Sequence, residues 1–144
     1  NMVLGKIIGA TPDGRKAFTP VADNASPMIG MDVCGPTAVV KSVNSGKRCN
    51  AQGGYLLNQR FDPYIVKGEK GIDVLETVLR AHFGNEGEHI QINVVDNETL
   101  RDAQEHPENY RNLLVRVAGY SAFFVDLEKS IQENIIERTV QATV

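Results

Sequence analysis

The stretch Arg116 to Val125, RVAGYSAFFV, sets a single glycine, Gly119, inside an otherwise strand-like apolar run. A glycine so placed has two ordinary readings: a β-bulge, or a point where one backbone closely approaches another. A third reading uses what only glycine has, a Cα with two hydrogens and no side chain. Loss of one hydrogen atom leaves a radical that can flatten between the flanking amides without a clash, and the amide nitrogen and carbonyl delocalise the unpaired electron.

Around this run the chain is regular. Downstream, Leu127, Ile131, Ile135 and Ile136 form one apolar stripe on a final helix, with Lys129 and Glu133 spaced to pair at i,i+4. Upstream, Leu113 to Val117 reads as a strand, and Asn97 caps a short helix through Glu105 that Pro107 closes. His89 to Val95 (HIQINVV) alternates polar and apolar residues, as a half-buried strand does. Ile72, Leu75, Val78, Leu79, His82 and Phe83 recur at helical spacing before Gly84, predicting a helix over 72–83. Lys67 to Lys70 reads as a solvated loop.

Residues 1 to 50 look different. Short apolar pieces (Met2 to Ile8, Val33, Ala38 to Val43) alternate with turn signals at Thr11-Pro12-Asp13-Gly14, Ser26-Pro27, Gly30 and Gly35-Pro36. They read as strands and loops that pack on a surface supplied by other protein. The boundary falls between Gly53 and Lys70, dividing the chain into a turn-rich 1–52 and a regular 53–144.

Composition excludes several classes. The 144 residues are 42% hydrophobic and 23% charged with net charge −3, which fits a soluble globular chain. No apolar run approaches the roughly 20 residues of a membrane span, and no signal peptide is evident, so a cytoplasmic location is expected. Basic residues are scattered apart from Lys47-Arg48, which argues against nucleic acid. His82, His89 and His106 form no ligand cluster, so no metal site is expected. Cys34 and Cys49 lack the spacing of a zinc or redox motif and read as free structural thiols.

RVAGYSAFFV resembles the signature of the glycyl radical enzymes, the formate-lyase-like dehydratases, lyases and decarboxylases. GATPDGRKA (Gly9 to Ala17), SPMIGMDVCGPTAVVKSV (Ser26 to Val43), LLNQRF (Leu56 to Phe61) and HIQINVVDNETLRDAQEHPENYRNLLVRVAGY (His89 to Tyr120) follow in the family's order and spacing. The resemblance thus covers nearly the whole chain. It implies an α/β fold, the C-terminal portion of a barrel enzyme with the radical loop and terminal helix. It also implies that Gly119 stores the radical and that Arg116, Tyr120 and Ser121 shape the loop.

In this family a separate activating enzyme, using S-adenosylmethionine and an iron–sulfur cluster, installs the radical, and no cofactor is held by the chain itself. The glycyl radical then takes a hydrogen from a cysteine thiol, and the thiyl radical attacks a small-molecule substrate. In the dehydratases that cysteine lies in a Gly-Cys-x-Glu context, which is absent here, and Cys34 and Cys49 do not match it. The chain is therefore expected to need a cysteine-bearing N-terminal barrel portion or partner chain, and to be inactive alone. Asn1 as first residue points the same way, to a fragment, a processed chain or a separately encoded small subunit.

AGYSAFFV is closer to the dehydratase branch than to formate acetyltransferase, favouring dehydration or a related elimination from a small hydroxylated substrate. The alternatives are a stand-alone subunit that restores an oxygen-damaged enzyme, and a formate acetyltransferase-type acyl transfer component. Oxygen capture at Gly119 would cleave the chain there and remove the last helix, so the folded protein is expected to shield the radical. Asp13-Gly14-Arg15 is a turn on its own terms, and by resemblance borders the substrate chamber.

Overall fold

In the computed structural model, which describes residues 1–45 and 54–142, LLNQRF forms the central strand β1, Leu56–Phe61. It is flanked in parallel by β2 (His89–Val94) on one side and by the short last strand, β5 (Val140–Gln141), on the other. The α/β assignment holds. Where β5 does not reach, residues 24–26 cover the edge of β1: Ala25 N–H donates to the Leu56 carbonyl (3.1 Å), the Asn24 side-chain oxygen accepts from Leu56 N–H (2.8 Å) and Ser26 Oγ accepts from Asn58 N–H (2.9 Å).

Register gives the sheet two unlike faces. Leu57, Gln59 and Phe61 stand opposite Ile90, Ile92 and Val94, whereas Asn58 and Arg60 stand opposite Gln91 and Asn93. Opposed residues share a face. On the first face Leu57 and Phe61 join Val39, Val40 and Val78 in one core. These come from α2 (Pro36–Asn44) and α3 (Gly68–Gly84), which pack on each other. The second face is polar and meets the rest of the chain.

Beyond β2, Asp96 caps α4 (Asn97–Glu105), its carboxylate accepting from Thr99 N–H at 2.6 Å. The cap expected at Asn97 thus sits one residue earlier, and the Asn97 side chain serves Arg60 instead. A hairpin of β3 (Leu114–Arg116) and β4 (Ser121–Phe123) leads through a 3-10 turn into α5 (Lys129–Glu137). Val95, Leu100, Ala103, Val115, Val117, Phe124, Ile135 and Ile136 make the second core.

Arg60 spans the gap between α5 and the sheet. It is 2% exposed, and its guanidinium donates to the carbonyls of Ile135 (3.1 Å), Ile136 (3.1 Å) and Arg138 (2.6 Å) and to Asn97 Oδ1 (2.8 Å). Helix ends leave carbonyls without intrahelical partners, and a cation is the favourable cap there. Burial, then the nearby Arg138 charge, lowers the Arg60 pKa to about 10; it remains charged at neutral pH.

Several local expectations change. Ala38 to Val43 is helical, not a strand, because Pro36 opens a helix whose Val39 and Val40 are buried. Residues 1–45 hold only α2 and a single turn, α1 (Met2–Gly5), and no strand. Lys67 to Lys70 is not a loop but leads into and begins α3, where Gly71 packs so tightly on Val66 that a Cβ would lie 2.0 Å from its carbonyl carbon. Ile72 and Phe83 then face outward, 64% and 53% exposed. Glu133 pairs with Arg101 of α4 at 2.7 Å and not with Lys129, so the pair joins two helices. The division expected at 52/53, Lys47-Arg48 and Cys49 lie outside the described residues. Among those described, no helix is long and apolar enough to cross a membrane.

Replacing Arg60 by Met would remove its donors from all three carbonyls, leaving Ile135 only the Arg138 N–H at 3.3 Å, and should lower stability by about 2–4 kcal/mol in urea unfolding. A change below about 1 kcal/mol would show the cap to be dispensable. Asp96 is held below the ordinary carboxylate range, first by the Thr99 backbone bond. A depressed carboxylate stabilises the fold above its unfolded value near 3.9 and loses that contribution as pH falls through the folded value. Asp96→Asn, which keeps a capping oxygen, should therefore flatten the stability profile below about pH 4, whereas Asp96→Ala should cost roughly 1 kcal/mol at neutral pH.

Candidate functional site

The strand-like run around Gly119 folds as two short strands and a tight turn. Arg116 pairs with Ser121, Val117 N–H donates to the Tyr120 carbonyl at 2.9 Å, and Ala118 and Gly119 form the tip. Gly119 has φ +79°, a region glycine enters freely and a residue with a Cβ enters at a cost. Val115 and Val117 are buried below the turn, while Ala118, Gly119 and Tyr120 are exposed. Among the described residues, and apart from its two chain neighbours, no heavy atom lies within 4 Å of where a Gly119 Cβ would stand, so one of its two hydrogens faces open space.

The polar sheet face holds this hairpin by its main chain. Asn93 grips Arg116 at both groups: its Nδ2 donates to the Arg116 carbonyl and its Oδ1 accepts from the Arg116 N–H, each at 2.7 Å. Two residues back on the same face, Gln91 Oε1 accepts from Gly119 N–H at 3.2 Å. Arg138, just past α5, donates to the Val117 carbonyl at 2.9 Å. Gln91 and Asn93 are 5% and 9% exposed, so these amides are desolvated and matched to backbone groups.

Arg138 extends the network to the first part of the chain. It meets Asp23 at 3.1 Å, and Asp23 also accepts from Asn58 Nδ2 at 2.6 Å. Burial lowers the Arg138 pKa and the Asp23 charge opposes that shift. Asp32 anchors the same segment to the β5 end by accepting from Thr139 Oγ1 and Gln141 Nε2. Hydrogen bonds from residues 23–32 thus reach β1, β5 and, through Arg138, the hairpin.

Of the expected loop residues, Arg116 ends β3 and its guanidinium donates to Ser121 Oγ across the hairpin at 3.1 Å. Tyr120 supplies the turn's carbonyl acceptor while its ring stays half-exposed. The shielding expected around Gly119 is not supplied by the described residues. Arg15 of the Asp13-Gly14-Arg15 turn is 8% exposed and donates to the carbonyls of Gly9, Lys16 and Thr19, which makes it an organiser of its own loop. Cys34 is an exposed free thiol. His82 is buried against Asn44 and Tyr55 and His106 lies near Glu108, and among the described residues no group of His, Cys, Asp or Glu could hold a metal. Gln91, Asn93 and Arg138 were not singled out by the sequence. The available signal was that the polar positions of HIQINVV carry neutral amides where a solvated strand face more often carries charges.

A family model described as glycine radical matches residues 21–125. Trans-4-hydroxy-L-proline dehydratase of Clostridioides difficile is 47% identical over 141 residues, 98% of this chain and 18% of that protein. Isethionate sulfite-lyase of Bilophila wadsworthia is 44% identical over 94% of this chain and 17% of its own length. Among solved structures, the glycerol-bound B12-independent glycerol dehydratase of Clostridium butyricum superposes with TM-score 0.93 at 48% identity, covering 99% of this chain and 18% of that one. The chain therefore spans under a fifth of the length of these relatives, and corresponds to their C-terminal part.

Asn93→Leu removes both bonds to Arg116 at nearly constant volume. Amide hydrogen exchange over residues 114–121 should then quicken by roughly tenfold or more, the factor expected for two net hydrogen bonds. Unchanged exchange would show that apolar packing alone holds the hairpin.

Proposed function

This chain belongs to the glycine radical family, and from that premise we propose that it is the radical-bearing part of a larger dehydratase or lyase, with the radical stored at Gly119. The observation that carries the reading is the placement of Gly119 itself. It stands at an exposed hairpin tip, with one hydrogen open to approach and its loop held by polar bonds to backbone groups.

A separate activating enzyme, using S-adenosylmethionine and an iron–sulfur cluster, would take one hydrogen atom from the Gly119 Cα. One electron of the broken C–H bond leaves with that hydrogen and one remains on carbon. The glycyl radical would then recover a hydrogen from the thiol of a cysteine outside this chain, leaving a thiyl radical to begin the reaction. Here the chain's own residues present Gly119 and hold its loop. Arg116 and Ser121 brace the hairpin at the rung next to the turn, and Tyr120 closes the turn.

The exposed tip also supports a reading of where the shielding comes from. Because the described residues leave Gly119 open, exclusion of water and oxygen would fall to the barrel portion into which the hairpin docks. Release of the tip toward the activating enzyme would break hydrogen bonds and not extract a buried apolar side chain, a change small enough for a reversible loop motion. The relatives act on hydroxyproline, isethionate and glycerol. An elimination from a small hydroxylated molecule is the class these names support.

Anaerobic incubation with an activating enzyme, reductant and S-adenosylmethionine should give a doublet in electron paramagnetic resonance that is absent from Gly119→Ala. That variant should fold with a loss of about 1–2 kcal/mol, because alanine is strained at φ +79° even though its methyl has room. An undiminished signal in Gly119→Ala would refute the assignment.

A further inference from the structure

We propose that Gln91 is the positioning residue of Gly119, holding its N–H through the side-chain carbonyl and tuning how well the adjacent Cα keeps an unpaired electron. The inference rests on Gly119 being the radical residue. Its structural basis is a buried acceptor reaching an exposed tip: Gln91 is 5% exposed and Oε1 lies 3.2 Å from Gly119 N. The amide orientation follows from chemistry. Gly119 N–H can only donate, so the oxygen must face it, and the Gln91 amide nitrogen then faces His89 Nε2 at 3.3 Å, which accepts in the tautomer that carries its proton on Nδ1. His89 therefore helps hold Gln91 in the useful orientation.

The effect on the radical follows from electron donation. A glycyl radical is stabilised when the amide nitrogen lone pair shares electron density with the half-filled Cα orbital. An acceptor on that N–H strengthens the donation by stabilising positive character on nitrogen. At φ +79° the amide plane before Gly119 is far from coplanar with the Cα centre a radical would create, so the turn must partly open for the spin to spread. The glutamine side chain has three rotatable bonds and can follow the N–H as it turns, whereas a backbone acceptor in the sheet could not.

Two measurements separate this role from the radical assignment. Residue-resolved amide exchange on the unactivated chain should show Gly119 quickened about 5- to 10-fold in Gln91→Leu, the factor of one net hydrogen bond, with Ala118 unchanged and protection retained in Gln91→Glu. Under anaerobic activation with 15N-labelled glycine, the Gln91→Leu radical should decay several-fold faster and show a smaller nitrogen coupling, with Gln91→Glu restoring both. Equal Gly119 exchange in wild type and Gln91→Leu would overturn the proposal, as would an identical coupling and lifetime. A wild-type chain without a doublet would instead overturn the radical assignment, while the exchange result would still decide the hydrogen bond.

Discussion

One buried guanidinium ties the molecule together. Arg60 sits on the central strand, on the face opposite the core built by α2 and α3, and caps the last turn of α5, which belongs to the other core. The two cores share no buried side chain, so their relative placement depends strongly on this polar junction and on the sheet itself. Burying a cation is tolerable only because four acceptors surround it. With α5 fixed, Arg138 falls where it can reach both Asp23 and the hairpin.

The sheet divides its labour by face. The apolar face does what sheets in α/β proteins do, burying Leu57 and Phe61 under helices. The other face reads backbone: Asn93 and Gln91 recognise peptide groups of the hairpin, and Asn58 grips the segment that carries Asp23. Such bonds fix position and orientation yet contribute little net free energy each where water can replace them. Apolar packing at Val115, Val117 and Phe124 anchors the base of the hairpin, and polar contacts steer its tip. The loop release proposed for activation would suit that division.

Much of this was legible in the residues. Alternation located β2 and helical spacing located α3 and α5, whereas the single glycine in an apolar run, read as a bulge or a close approach of backbones, proves to be a hairpin turn. What failed had physical causes. Ala38 to Val43 looked strand-like because Val39, Val40 and Val43 are β-branched, but a proline start and burial against α3 overrode propensity. Asn97 and Asp96 are both competent caps, and only the position of Arg60 decided which was free to serve α4. Gln91, Asn93 and Arg138 could not be singled out from period alone, since a polar residue on a strand looks the same whether it meets water or a buried carbonyl.

Under the radical role proposed for Gly119, the threading of the chain past it changes what oxygen damage would look like. The residues that follow the turn do not dangle: β4 pairs with β3, α5 buries Ile135 and Ile136 and is clasped by Arg60, and β5 lies against β1. A scission at Gly119 would sever one covalent link and leave these contacts in place. The C-terminal piece would stay on the sheet as a noncovalent complement, so a nicked molecule would keep its native mass and outline until denatured. Inactivation would be silent to any method that sees only the assembled shape.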